Sequence, residues 1–126
     1  MAGKQRRHYF RVETDIPAPC AVLDGPGAST LCEARALNLS AGGAWLELPA
    51  PLQDGQLLRV TLRVHEPPLE LRARARVVRS DGAHVGIEFV GIDARTRAAV
   101  TRFVFAQAKE LGVTPDYAPP GSVRAA

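Results

Sequence analysis

The sequence predicts a mainly β domain, an antiparallel barrel accompanied by one C-terminal helix. Six or seven short runs with strand-like alternation succeed one another at roughly ten-residue spacing. Turn-forming clusters rich in Gly, Pro and Asp separate them. The apolar period changes from two to helical only once, near residue 93. Closing the strands into a barrel removes exposed sheet edges and leaves the helix to plug or flank one end. No internal repeat is visible.

Each element has its own signal. Residues 1–5 read as a flexible leader. If Arg6–Val12 is extended, Arg7, Tyr9 and Arg11 share one side, and His8, Phe10 and Val12 share the other. Phe10 and Val12 can then anchor the segment to a core while the arginines stay outside. Ala18–Leu23 is apolar and follows Pro17 and Pro19, which restrict the start of a strand. Asp24-Gly25-Pro26-Gly27 is a turn, and Thr30–Leu37 is the expected return strand of a hairpin. Cys32, Ala34 and Ala36 fall on its apolar side. Asn38–Gly43 turns the chain again, into a run where Ala44, Leu46 and Leu48 alternate with Trp45 and Glu47.

Pro49–Gly55 is a loop. Leu58, Val60, Leu62 and Val64 then alternate with Arg59, Thr61, Arg63 and His65, a half-buried strand. After Pro67-Pro68, Leu69, Leu71, Ala73, Ala75 and Val77 alternate with Glu70, Arg72, Arg74 and Arg76. Asp81-Gly82 closes the next hairpin, and Val85, Ile87 and Phe89 form the inner face of the last strand. Asp93 caps a helix running to about Leu111, with Val100, Phe103, Val104, Gln107 and Leu111 on its apolar side and Gly112 as its stop. The domain is thus expected over residues 6–111, with a flexible tail over 112–126.

Composition bounds the function. A chain of 126 residues with 46% apolar content can bury roughly two-thirds of its unfolded surface, so it needs no metal or disulfide to fold. The net charge of +3 is too small by itself to argue for nucleic acid. Its distribution says more: Lys4, Arg6, Arg7 and Arg11 all precede the first acid, Glu13, and such a cluster suits a phosphate-bearing or acidic partner. Cys20 and Cys32 lie in apolar runs without metal spacing and read as small buried thiols. No signal-peptide or membrane-helix pattern occurs, and a cytoplasmic location is the expectation.

Catalysis has little support. His8, His65 and His84 are scattered, Ser40 has no base near it in sequence, and no Gly-rich phosphate loop occurs. The protein is expected not to be an enzyme, with no cofactor and no metal site. Arg72, Arg74 and Arg76 line one strand face, which reads first as a solvated outer surface and second as a basic patch. With only seven aromatic residues in the chain, stacking platforms for nucleic acid are scarce.

Two short motifs remain. Arg6-Arg7-His8-Tyr9-Phe10-Arg11 supplies an R-R-x-x-x-R segment. Asn38-Leu39-Ser40-Ala41-Gly42-Gly43 combines an amide, a hydroxyl and two glycines in a turn. Side chains of this kind bend the local backbone and leave N–H groups outward, a geometry that suits an anion. Taken together, in this order and inside an all-β pattern ending in a helix, the motifs resemble those of the PilZ domain family. That family carries R-x-x-x-R ahead of a six-stranded barrel and [D/N]-x-S-x-x-G after an early strand. Val85-Gly86-Ile87-Glu88-Phe89 also looks like its closing strand, and the resemblance covers about residues 6–110.

The resemblance implies binding of cyclic di-GMP, a bacterial second messenger, by Arg6, Arg7, Arg11, Asn38, Ser40, Gly42 and Gly43. The residue chemistry suits such a ligand: Arg clamps a phosphate or pairs bidentately with guanine O6 and N7. Asn38 and Ser40 would meet a guanine edge or a phosphate, and the glycines would permit close approach. Asn38 stands where the family more often has Asp. Some members also stack a side chain from a later strand on the base, and Trp45 is one candidate. The expected role is a ligand-gated effector acting on an unidentified protein partner, as monomer or dimer, with no membrane insertion. The alternatives are a related module that binds only protein, and a small basic barrel that binds nucleic acid.

Overall fold

The structure, a computed structural model, describes residues 10–49, 51–65 and 68–112. The leader 1–5, with Arg6, Arg7 and the tail beyond Gly112, lies outside the described residues. Within them are β1 (Val12–Pro17), β2 (Cys20–Val22), β3 (Leu31–Cys32), β4 (Arg35–Ser40), β5 (Gly43–Glu47), β6 (Leu57–His65), β7 (Pro68–Asp81), β8 (His84–Gly91) and α1 (Ala94–Leu111). The eight strands form one antiparallel sheet in the order β1-β4-β5-β8-β7-β6-β2-β3. β1 also touches β6, which is remote from it in that order, so the sheet curls on itself as a half-barrel.

The period-two pattern explains the core. Leu58, Val60, Leu62 and Val64 of β6 face Leu71, Ala73, Ala75 and Val77 of β7 inside the curl, with Leu39, Leu46, Val85, Ile87 and Phe89 from β4, β5 and β8. α1 covers this core with Val100, Val104 and Ala108 and packs against β1, β4 and β7. Its ends form where expected. The Asp93 carboxylate accepts a hydrogen bond from the Thr96 N–H at 2.7 Å, which holds that carboxyl below its usual value. Gly112 takes the left-handed conformation, φ +70°, that ends a helix.

Three details differ from the sequence reading. Among the described residues the strand count is eight rather than six or seven, because Val12–Pro17 is a strand and Thr30–Leu37 is two. β1 escaped notice because only Val12 and Ile16 are apolar on its inner side, while the inward position between them is the polar Thr14. The chain breaks between Cys32 and Arg35. β3 closes the expected hairpin with β2, pairing Cys32 with Cys20, while β4 crosses to pair with β1 and β5. Leu69 and Leu111, read as core-facing, are exposed. Leu69 lies near the outer end of the β6–β7 hairpin and Leu111 in the last turn of α1, both at the margins of the curled sheet.

Candidate functional site

The Asn38–Gly43 stretch is not a loop but the tight end of the β4–β5 hairpin. Asn38 and Ser40 belong to β4, Gly43 to β5, and Ser40 pairs with Gly43 around Ala41-Gly42. The turn is held by its own serine. The buried Ser40 Oγ accepts from the N–H groups of Gly42 and Gly43, at 3.1 and 3.2 Å. The expectation of outward N–H groups here is therefore corrected: the hydroxyl takes both, as a serine in a tight turn does.

The rest of the turn is tied to the body of the domain. The Phe89 N–H donates to the Gly42 carbonyl at 2.9 Å. The Arg97 guanidinium of α1 donates to the Ala41 carbonyl at 3.2 Å. Gly43 lies against β8 so closely that a Cβ would overlap the Ile87 carbonyl oxygen and stand 3.1 Å from its carbon. Glycine is required here by strand approach and not by a positive φ.

β1 brings Arg11 to this hairpin. Val12 pairs with Leu39 and Glu13 with Asn38, so exposed Arg11, one residue before Val12, arrives beside the turn. Phe10 fixes the approach: its buried ring meets Phe105 of α1 with centroids 6.0 Å apart. The predicted division of labour holds for these residues, with Phe10 and Val12 inside and Arg11 outside. Asn38 is half-buried on the outer face, and its amide makes no hydrogen bond among the described residues. Arg11 thus lies two residues along β1's line from Glu13, the position paired with Asn38, at the same rigid hairpin.

Sequence reasoning missed what surrounds Trp45. This residue lies directly across from Asn38 on one side and Gly86 on the other. Its indole leans over Gly86, whose absent side chain leaves the room. The Arg79 guanidinium stands 4.8 Å from the ring centroid, and the His84 ring lies parallel to it at 5.7 Å. His84 Nε2 is in turn 3.9 Å from the Glu47 carboxylate. Arg79 and His84 come from two later strands, and a register shift between Val77 and Arg79 aims Arg79 at the indole. Only the tryptophan itself signalled this cluster in the sequence. Among the described residues no three His, Cys, Asp or Glu side chains gather as a metal site would require.

A half-barrel with a covering helix, an arginine led in by its first strand and an N-x-S-x-x-G hairpin beside it define a small regulatory domain of one known kind. The sequence matches the family model of the PilZ domain over residues 5–106, and the chain belongs to that family. No curated protein matches it significantly. Among solved structures it is similar to the inhibitor of motility MotI/DgrA of Bacillus subtilis, with 22% identity and TM-score 0.69 over 86% of this chain and 53% of that one. The chain therefore spans about half the length of the Bacillus protein. It is also similar to the PilZ domain of Escherichia coli YcgR, solved with c-di-GMP, at 18% identity and TM-score 0.67 over 85% and 95% of the two chains. The PilZ domain of CeSA from a cellulose-synthesizing bacterium follows at 22% identity and TM-score 0.58, covering 76% and 95%. At these identities the likeness is one of fold. No helix among the described residues is long and apolar enough to cross a membrane.

Proposed function

We propose that this PilZ domain binds cyclic di-GMP between the Arg6–Arg11 segment and the outer face of the β4–β5 hairpin, as a cytoplasmic effector and not an enzyme. The observation that carries the reading is the pairing of β1 with β4, which brings Arg11 alongside the β4–β5 hairpin that holds the open amide of Asn38. Arg11, with Arg6 and Arg7 from the same segment, supplies charge for the two phosphates and forks for guanine O6 and N7. Asn38 offers both a donor and an acceptor to a guanine edge. Ser40, Gly42 and Gly43 serve chiefly by holding the hairpin in the shape that presents Asn38. Gly42 and Gly43 are half-buried, so a ligand can touch their backbone as well. The fold of YcgR, solved with c-di-GMP, supports the choice of ligand.

Gating follows from where the site lies. A ligand that bridges the arginine segment and the hairpin selects one geometry of that segment and changes the surface shown to a partner protein. A second reading has one observation in its favour. Ser40 and Gly43 are demanded by the hairpin itself, so a PilZ domain that binds only protein would keep them too. Asn38, whose amide makes no hydrogen bond among the described residues, has no such structural demand and separates the two readings.

The test uses the one tryptophan of the chain, which lies directly across from Asn38. Titration with cyclic di-GMP changes Trp45 emission saturably, while GTP and a short single-stranded RNA at equal concentration do not. Saturation by RNA, or no change with any of the three, contradicts the proposal.

A further inference from the structure

A second charged surface lies on the opposite limb of the sheet. On the outer face of β6 and β7, Arg59 is directly across from Arg74. Arg72 and Arg76 flank Arg74 on the same strand face, each opposite a neutral residue, Thr61 and Leu57. All four arginines are exposed. Like charges placed directly opposite in a sheet repel and destabilise it. Elsewhere the chain avoids this: on the outer surface Arg35 is paired with Asp15, and Arg63 with Glu70 across β6 and β7. Glu70 also reaches Arg72 at 3.5 Å. Arg59, Arg74 and Arg76 make no ion pair among the described residues. The fold thus carries, among the described residues, two directly opposed arginines without a carboxylate partner, Arg59 and Arg74, between Arg72, which is paired with Glu70, and Arg76, which lies across from Glu88.

We propose that this face docks a short acidic segment of a partner protein. Alternate residues on a strand stand roughly 7 Å apart, so Arg72, Arg74 and Arg76 form a row that matches carboxylates at every second position of an extended segment. Arg59 adds a second fork beside the centre of the row. The patch is bounded: Glu70 closes the end beyond Arg72, and exposed Glu88 lies across from Arg76 on β8. A long polyanion or a membrane surface would run onto these acids, whereas a segment of three or four carboxylates fits between them. Described outward positions of β6 and β7 from Leu57 to Arg76 hold no Phe, Tyr or Trp on which a nucleic-acid base could stack, and their one ring, His65, lies at the hairpin end beyond Arg63. The surface is separate from the hairpin site and does not depend on the nucleotide reading.

The probe is a labelled ten-residue peptide of alternating Glu and Ser, titrated at about 50 mM salt, where surface charge is weakly screened. Controls are the Gln–Ser peptide, a single-stranded RNA and vesicles containing phosphatidylglycerol. The wild-type chain binds the Glu–Ser peptide, and R59Q/R74Q weakens that binding about tenfold, the effect of two exposed charge contacts. R59Q/R74Q also melts at or above the wild type, because the cross-strand repulsion is gone. Three results overturn the proposal: equal binding of the Gln–Ser peptide, Glu–Ser binding unchanged in R59Q/R74Q, or tighter binding of RNA or vesicles through the same arginines. A clear fall in melting temperature for R59Q/R74Q would also overturn it, since the arginines would then be holding the sheet.

Discussion

Glu13 on β1 lies directly across from Asn38 on β4. This pairing gives a physical reason for an amide where the family more often has a carboxylate: an Asp at 38 would face Glu13, and like charges directly opposite destabilise a sheet. Asn38→Asp is expected to lower stability at neutral pH by up to about 1 kcal/mol. Urea unfolding at low and high salt checks this. The deficit shrinks as salt screens the pair, and a deficit independent of salt would point to another cause.

Ser40→Ala removes the acceptor for two backbone N–H groups inside the turn. Leaving such donors unpaired costs about 1–3 kcal/mol. The urea midpoint should fall accordingly with the slope unchanged. Loss of ligand binding in this variant would follow from a loosened hairpin and would not by itself make Ser40 a ligand contact.

Gly43→Ala forces a methyl group into the Ile87 carbonyl. Overpacking of this kind costs about 1–3 kcal/mol or more, since the obstacle is backbone and cannot rotate away. Thermal unfolding reads the loss. A variant as stable as the wild type would mean that β5 can move off β8 without cost.

The two thiols face each other across β2 and β3 as a buried pair, Cys20 with Cys32. Burial, reinforced by the neighbouring Cys32, pushes the Cys20 thiol up to about 12. The folded pKa lies above the unfolded one, so this thiol contributes stability below the ordinary thiol range. That contribution is lost as pH rises from there toward about 12. At pH 8 a thiol reagent is expected to label Cys20 in the folded protein only at the rate of unfolding, and at once in denaturant. Prompt labelling of Cys20 without denaturant, read by peptide mapping, would contradict its burial.

Much of this was legible in the residues. Strict alternation marked β6, most of β7 and the inner face of β8. Asp93 and Gly112 marked both ends of α1, because capping is local chemistry. β1 was not legible, since the polar Thr14 sits between Val12 and Ile16 on its inner side and leaves too few apolar residues to announce a strand. At the hairpin the motif residues were visible but their duties were not. Ser40 answers to the backbone of its own turn, and Gly43 to the backbone of β8, a contact set by pairing between distant strands. Arg79 and His84 around Trp45, and the Arg59–Arg74 pair, likewise depend on register, which no single strand reveals.

The central claim is that Arg11 and the β4–β5 hairpin form one nucleotide site, and a calorimetric titration of wild type and Arg11→Ala with cyclic di-GMP tests it most directly. One bidentate arginine contact is worth roughly 1–3 kcal/mol, so Arg11→Ala should bind about 5- to 150-fold more weakly while melting close to the wild type. No heat from the wild type at high micromolar ligand, or equal affinity in the two proteins, would contradict the account.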